Sequence, residues 1–284
     1  MIKLRRMLTV SIFAMATLAA GPSTAPVEHV NHAVLGKLAW QLAYPAWAVK
    51  GVPFDKMLEE LHGLTVHHLE LGKSVQLGET VVAIDPKMSK DDVSQILADL
   101  KKLKMDVVSF HFDLPATEAE ARPYFELAKS FKAKTIISTP AASSLPMLDS
   151  LAKEYSVNLA IFPKQDSEYV TTEALLKALD GKSPRTGVLL SPAHWKLQGQ
   201  SPLGVTKALK GHIIALLVSD IDASQHLTPA GEGAAEVPMV LQELKDQKFK
   251  GVCTVAPGNV DESEKVDALV PQMDAFAKAL DALK

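Results

Sequence analysis

Pro202–Asp220 reads PLGVTKALKGHIIALLVSD. A proline that fits a first helical turn, where its missing N–H is not needed, opens a helix over Pro202–Leu209. The following run, His212–Val218, is apolar on both faces, as a strand is when helices or a barrel interior cover each side. Working outward, the same pairing recurs along the chain. Further strands are expected at Lys37–Ala43, Thr65–Leu71, Asp106–Phe112, Lys134–Ser138, Asn158–Phe162, Thr186–Leu190 and Gly251–Val255. Helices are expected at Phe54–His62, Lys90–Leu103, Glu118–Phe131, Leu145–Tyr155, Thr172–Leu179, Val237–Gln247 and Glu264–Leu283. Ser89 with Asp92, Thr117 with Glu120, and Pro53 mark helix starts, while Gly63 and Gly181 sit where helices should stop. Eight βα units in about 250 residues predict an α/β protein, a single-domain (β/α)8 TIM barrel over residues 36–284. A doubly wound open sheet is the alternative, but no G-x-G-x-x-G follows the first strand.

The 284 residues are 47% hydrophobic and 22% charged, an ordinary globular composition. With 30 basic and 33 acidic residues and a net charge of −3, the chain has no basic stripe for nucleic acid. The first twenty residues differ from the rest: Lys3, Arg5 and Arg6 precede an apolar run from Met7 to Ala20, the pattern of a secretory signal cleaved near Ala20. Residues 21–35, with Pro22 and Pro26, read as a linker. Cleavage leaves a charge of −6 and no membrane anchor. The lone cysteine, Cys253, sits in an apolar strand as a small buried hydrophobe and forms no internal disulfide, which suits export to a bacterial periplasm.

A barrel of this kind carries its active site at the C-terminal ends of the strands. The residues there are Gln41 and Tyr44, Glu70, His111 with Asp113, Thr139, Phe162 with Lys164, Ser191 with His194 and Trp195, Ser219 with Asp220 and Asp222, and Ala256 with Asn259. The ordered segments HHLELGKSVQLG (67–78), GVLLSPAHW (187–195), the opening stretch, AGEG (230–233) and VPMVLQELKDQKFKGVCTV (237–255) resemble sugar phosphate isomerases and epimerases of the xylose-isomerase-like TIM-barrel superfamily. The resemblance runs from about Gly36 onward. It implies a carbohydrate substrate at the barrel mouth and, in the family, a divalent metal held by carboxylates and imidazole.

The family's sixth strand ends Asp-x-Gly-His-Trp, its seventh carries His-x-Lys-Asp, its eighth ends in Glu, and its fifth supplies a ligand from a His-Asn-His or Glu-Asn segment. The matching places here hold Ser191, Leu217, Ala256 and Phe162-Pro163-Lys164. These side chains replace neither the charge nor the lone pairs that a divalent ion needs, so no metal or other cofactor is expected. The parent isomerisation, which uses the ion to polarise a carbonyl, loses its basis. Lys164 places a cation near the vacated positions.

Glu70 keeps an acidic position at the second strand end, as a base, a sugar-hydroxyl acceptor or an acceptor for loop amides. His111 and Asp113 share one face of an extended strand and with Glu70 form an acid/base cluster or a solvated entrance. His194 and Asp220 orient hydroxyls, or Asp220 caps its own loop; Trp40 or Trp195 stacks on a sugar ring, or packs in the rim. Two functions follow. In the first, Glu70 and His111 exchange protons with a carbohydrate substrate; in the second, the same mouth binds a sugar or a partner without turnover. A mouth closed by Phe162 and Pro163 excludes both.

Overall fold

The computed structural model describes residues 30–255 and 266–283. The expected signal and Ala256, Asn259 and Glu264 lie outside the described residues. The strands are β1 (Trp40–Pro45), β2 (His68–Leu71), β3 (Ser74–Leu77), β4 (Thr80–Ala83), β5 (Asp106–His111), β6 (Thr135–Ser138), β7 (Asn158–Ile161), β8 (Thr186–Leu190), β9 (Ile213–Val218), β10 (Asp220–Ile221), β11 (Leu227–Thr228) and β12 (Gly251–Val255). Eight of them close a parallel barrel in the order β1-β12-β9-β8-β7-β6-β5-β2. β3 with β4, and β10 with β11, form separate antiparallel pairs in the loops after β2 and β9.

The helices are α1 (His32–Leu38), α2 (Phe54–Gly63), α3 (Lys90–Lys102), α4 (Glu118–Ser130), α5 (Leu145–Tyr155), α6 (Thr172–Leu179), α7 (Pro192–Leu197), α8 (Pro202–Ala208), α9 (Val237–Asp246) and α10 (Val270–Asp281). Ser89 caps α3, its hydroxyl accepting from the Asp92 N–H at 3.0 Å. The expected last helix is a 3-10 turn, Val266–Leu269, followed by α10.

The start of the chain corrects the sequence reading. Residues expected to be linker, together with Gly36 and with Lys37 and Leu38 from the expected first strand, form α1. Asn31 caps it by accepting from the Val34 N–H at 3.2 Å, and Leu35 is buried. The helix stops at Ala39, whose left-handed backbone (φ +57°) turns the chain into the barrel. The first strand therefore begins at Trp40 and ends at Pro45. Trp40 lies at the N-terminal end of the barrel, opposite the mouth.

Strand register separates the two faces. Ser109 pairs with Thr135, Ile137 with Ala160, and Leu189 with Ala215, so these side chains share the barrel interior. Small apolar groups fill it: Ala43, Val108 and Val252 in one cluster, and Ile137, Ala160, Leu189 and Ala215 in another, with Leu217 and Phe162 against the second. The alternate residues, including Leu69, Phe110, Ile136, Leu159 and Leu216, face outward into the core beneath the helices. A register shift between Leu69 and Glu70 sets Glu70 opposite Ser109. Glu70 points into the barrel by the ordinary alternation of β2, between outward-facing Leu69 and Leu71, and an extra residue in β5 brings Ser109 level with it.

Candidate functional site

The buried carboxylate of Glu70, 2% exposed, is the polar centre of the mouth. Its Oε1 accepts from the Trp47 indole N–H at 2.7 Å; its Oε2 accepts from the Thr254 hydroxyl at 2.8 Å and the Ser109 hydroxyl at 3.4 Å. Trp47 lies in the 3-10 turn after β1, and its Cβ sits where a side chain on Gly72 would stand: a Cβ there would be 2.4 Å from that of Trp47. Glycine at 72 lets the indole swing against the end of β2 and reach Glu70. Three donors leave one lone-pair direction on Oε1 unfilled, and His111 Nδ1 stands 3.9 Å from that oxygen, beyond a direct hydrogen bond.

Burial pushes the His111 imidazole below its ordinary value, against the opposing pull of Glu70, with Lys164 lowering it further. The ring is therefore neutral at neutral pH, able both to donate and to accept. A hydroxyl lodged between the two groups can donate to Glu70 Oε1 and accept from the imidazole. Phe162 packs edge-on to His111, with ring centroids 6.0 Å apart.

No family model matches the chain, and no curated protein matches it. Solved structures do. An uncharacterised protein from Parabacteroides distasonis ATCC 8503 superposes with a TM-score of 0.67 at 23% identity, over 84% of this chain and 99% of that chain. A xylose isomerase-like TIM barrel protein from Mycobacterium smegmatis, in complex with magnesium, gives 0.67 at 12% identity, over 86% and 98%. D-allulose 3-epimerase from Methylomonas sp., in complex with D-allulose, gives 0.65 at 12%, over 84% and 96%. The fold these structures share with this chain is the eight-stranded parallel TIM barrel.

The positions that the sequence resemblance set against metal ligands hold other contacts. Ser191 and Ser219, at the ends of β8 and β9, hydrogen-bond to each other at 3.1 Å. Leu217 and Phe162 pack into the interior apolar cluster. Among the described residues, no three His, Cys, Asp or Glu side chains converge closely enough to hold a metal ion.

The remaining candidates separate. Asp113 stands at the rim, exposed and ion-paired with Lys73, whose hydrogen bond is the main force holding the carboxyl below its usual range. Lys164 is exposed in the loop after β7. His194, on α7, points its Nε2 at the Pro163 carbonyl and packs on Phe162 at 5.3 Å between centroids, so it pins the β7 loop to α7. Burial lowers its pKa, partly offset by that carbonyl.

Trp195 is 0% exposed and offers no face to a ring. Trp40 is equally enclosed: its indole donates to the Phe249 carbonyl at 2.9 Å, at the far end of the barrel. Asp220 is fully engaged by its own loop, accepting from the backbone N–H groups of Ile221, Gly231, Gly233 and Ala235 at 2.8–3.1 Å. Gln41 and Tyr44 fall inside β1 rather than after it, and Tyr44 is buried.

The sequence reading passed over Trp47, Ser109, Thr254 and Lys73. Trp47 was within reach, because an aromatic residue just past a strand end is a mouth position. Ending the first strand at Ala43 drew attention to Tyr44 instead.

Proposed function

We propose that this chain binds a carbohydrate at the C-terminal mouth of the barrel, as an exported relative of sugar isomerases and epimerases whose inherited metal centre has been replaced by hydrogen bonding. The observation that carries this reading is the Glu70 carboxylate, buried yet ordered by Trp47, Ser109 and Thr254, with one acceptor direction left towards neutral His111. Sugar hydroxyls are both donors and acceptors, and a carboxylate beside a neutral imidazole matches them. The half-buried Trp47 indole supplies the apolar face that sugar rings stack on. The D-allulose bound in the Methylomonas epimerase supports the ligand class.

A divalent ion does not fit the residues present. Three of the four acceptor directions of Glu70 are taken, and Ser191, Leu217 and Phe162 bring no further anionic or imidazole donor. The leader with Lys3, Arg5 and Arg6 ahead of Met7–Ala20 supports export to a periplasm, with no membrane attachment after cleavage. Among the described residues no helix is long and apolar enough to cross a membrane.

The 3.9 Å separation of Glu70 and His111 favours a second reading, turnover by proton exchange between these two groups. One experiment addresses both. Purified protein is titrated with a panel of aldoses and ketoses by calorimetry, and the same mixtures are followed by NMR for isomerised or epimerised product. Binding that is lost in Glu70→Gln, without product, supports the binding reading; product formation that is lost in Glu70→Gln supports turnover. A panel with no binding at all overturns the proposal.

A further inference from the structure

Beside the Glu70 centre, a cavity of about 330 Å³ opens between the turn after β1 and the β3–β4 pair, near the lower end of the roughly 300–1,000 Å³ typical of small-molecule sites. Trp47 joins the two: its N–H reaches Glu70, and the residue also lines the cavity. Lys50, Lys73, Ser74, Gln76 and Val81 line it too, and no carboxylate does.

The charge there opposes that of the whole chain, which is −3. Lys73 is neutralised by Asp113 across the rim. Among the described residues, Lys50 has no carboxylate at ion-pair distance. An indole, an amide, a hydroxyl and an ammonium without a counter-charge among the described residues describe a site for a sugar that carries its own carboxylate.

We infer that the ligand is an acidic sugar of the uronate class, its ring on Trp47 and its carboxylate on Lys50, an inference that rests on the mouth being a carbohydrate site. Lys73 adds to this attraction only as far as Asp113 releases it. The cavity thereby selects uronates over the neutral sugars of the same ring stereochemistry, and the preference weakens as salt screens the exposed ammonium.

The test uses the full chain and four probes: galacturonate, glucuronate, galactose and glucose. Of the three tryptophans, Trp40 and Trp195 are buried, so quenching of tryptophan fluorescence reports on Trp47; calorimetry supplies an independent affinity. The expected result is tighter binding of the uronates than of their neutral counterparts. Lys50→Gln lowers uronate affinity about five-fold, as a partly exposed charge pair predicts, and leaves neutral sugars unchanged.

Asp113→Asn, which frees Lys73, raises uronate affinity, a gain that loss of structure cannot produce. Equal binding of acidic and neutral sugars overturns the inference while leaving the carbohydrate proposal standing. Uronate binding indifferent to both substitutions also overturns it, since the carboxylate then sits elsewhere. If none of the four probes binds and the wider aldose and ketose panel is silent too, both readings fall.

Discussion

Replacing Trp47 by phenylalanine removes one N–H and keeps most of an apolar ring. The indole hydrogen bond to Glu70 is 2.7 Å long and ends on a carboxylate that is 2% exposed, so water does not readily take its place. A hydrogen bond to a charged group contributes about 1.5–3 kcal/mol, and loss of this donor to a buried charge falls within that range. A change of about 2 kcal/mol corresponds to a Tm drop of roughly 4–8 °C for a chain of this size. Packing lost with the smaller ring adds to this, and the background Glu70→Gln separates the two contributions. Against a neutral amide the same substitution forfeits only a neutral hydrogen bond, about 0.5–1.5 kcal/mol.

The assay is thermal or urea unfolding of the four proteins in that cycle. A second readout is the His111 imidazole followed by NMR. With the indole gone, Glu70 Oε1 turns its full charge to the ring 3.9 Å away, and the depressed pKa of His111 moves upward. An equal cost of Trp47→Phe in both backgrounds, with an unmoved His111 titration, refutes the argument that Trp47 serves Glu70.

Asp220→Ala leaves four backbone N–H groups without their acceptor, and unfolding should show a loss of about 4 kcal/mol with no specific effect on sugar affinity in the folded fraction. Gly233→Ala should act on the same loop, because a Cβ there would lie 2.3 Å from the Ile221 carbonyl and 2.4 Å from Asp220 Oδ1; a stability equal to wild type by urea denaturation contradicts this packing. The pKa of His111 is lowered by folding, so its neutral form confers stability that is complete above the ordinary imidazole value of 6.5 and is lost as pH falls through the depressed one. The difference in stability between wild type and His111→Phe should accordingly shrink on acidification below that value, and a difference that grows reverses the sign of the argument. Burial raises the Cys253 thiol far above the physiological range, so a thiol reagent should label it only in denaturant.

The barrel strands were legible because short β-branched or apolar runs, some of them apolar on both faces as in IIALLV, alternate with helical segments that carry local start signals such as Ser89. α1 was not legible: seven residues with a single buried side chain make too short an amphipathic pattern to stand out from a linker. That omission moved the first strand's start from Trp40 back to Lys37, put Trp40 near the mouth, and hid Trp47.

The meeting of Glu70 with Ser109 depends on an extra residue in β5 opposite the Leu69–Glu70 step, and register is a property of paired strands rather than of either sequence. Asp220 had two readings open, hydroxyl contact or loop cap. Its four backbone donors come from residues up to fifteen positions away, and their convergence exists only once β10 and the Gly231–Ala235 segment have folded.

The central claim is that hydrogen bonds to Glu70, rather than a bound ion, organise this mouth. Elemental analysis of protein purified without chelator, before and after Glu70→Gln, tests it most directly. The account predicts no stoichiometric manganese, zinc or magnesium in either protein. Near-stoichiometric metal in the wild type that disappears with Glu70→Gln contradicts it.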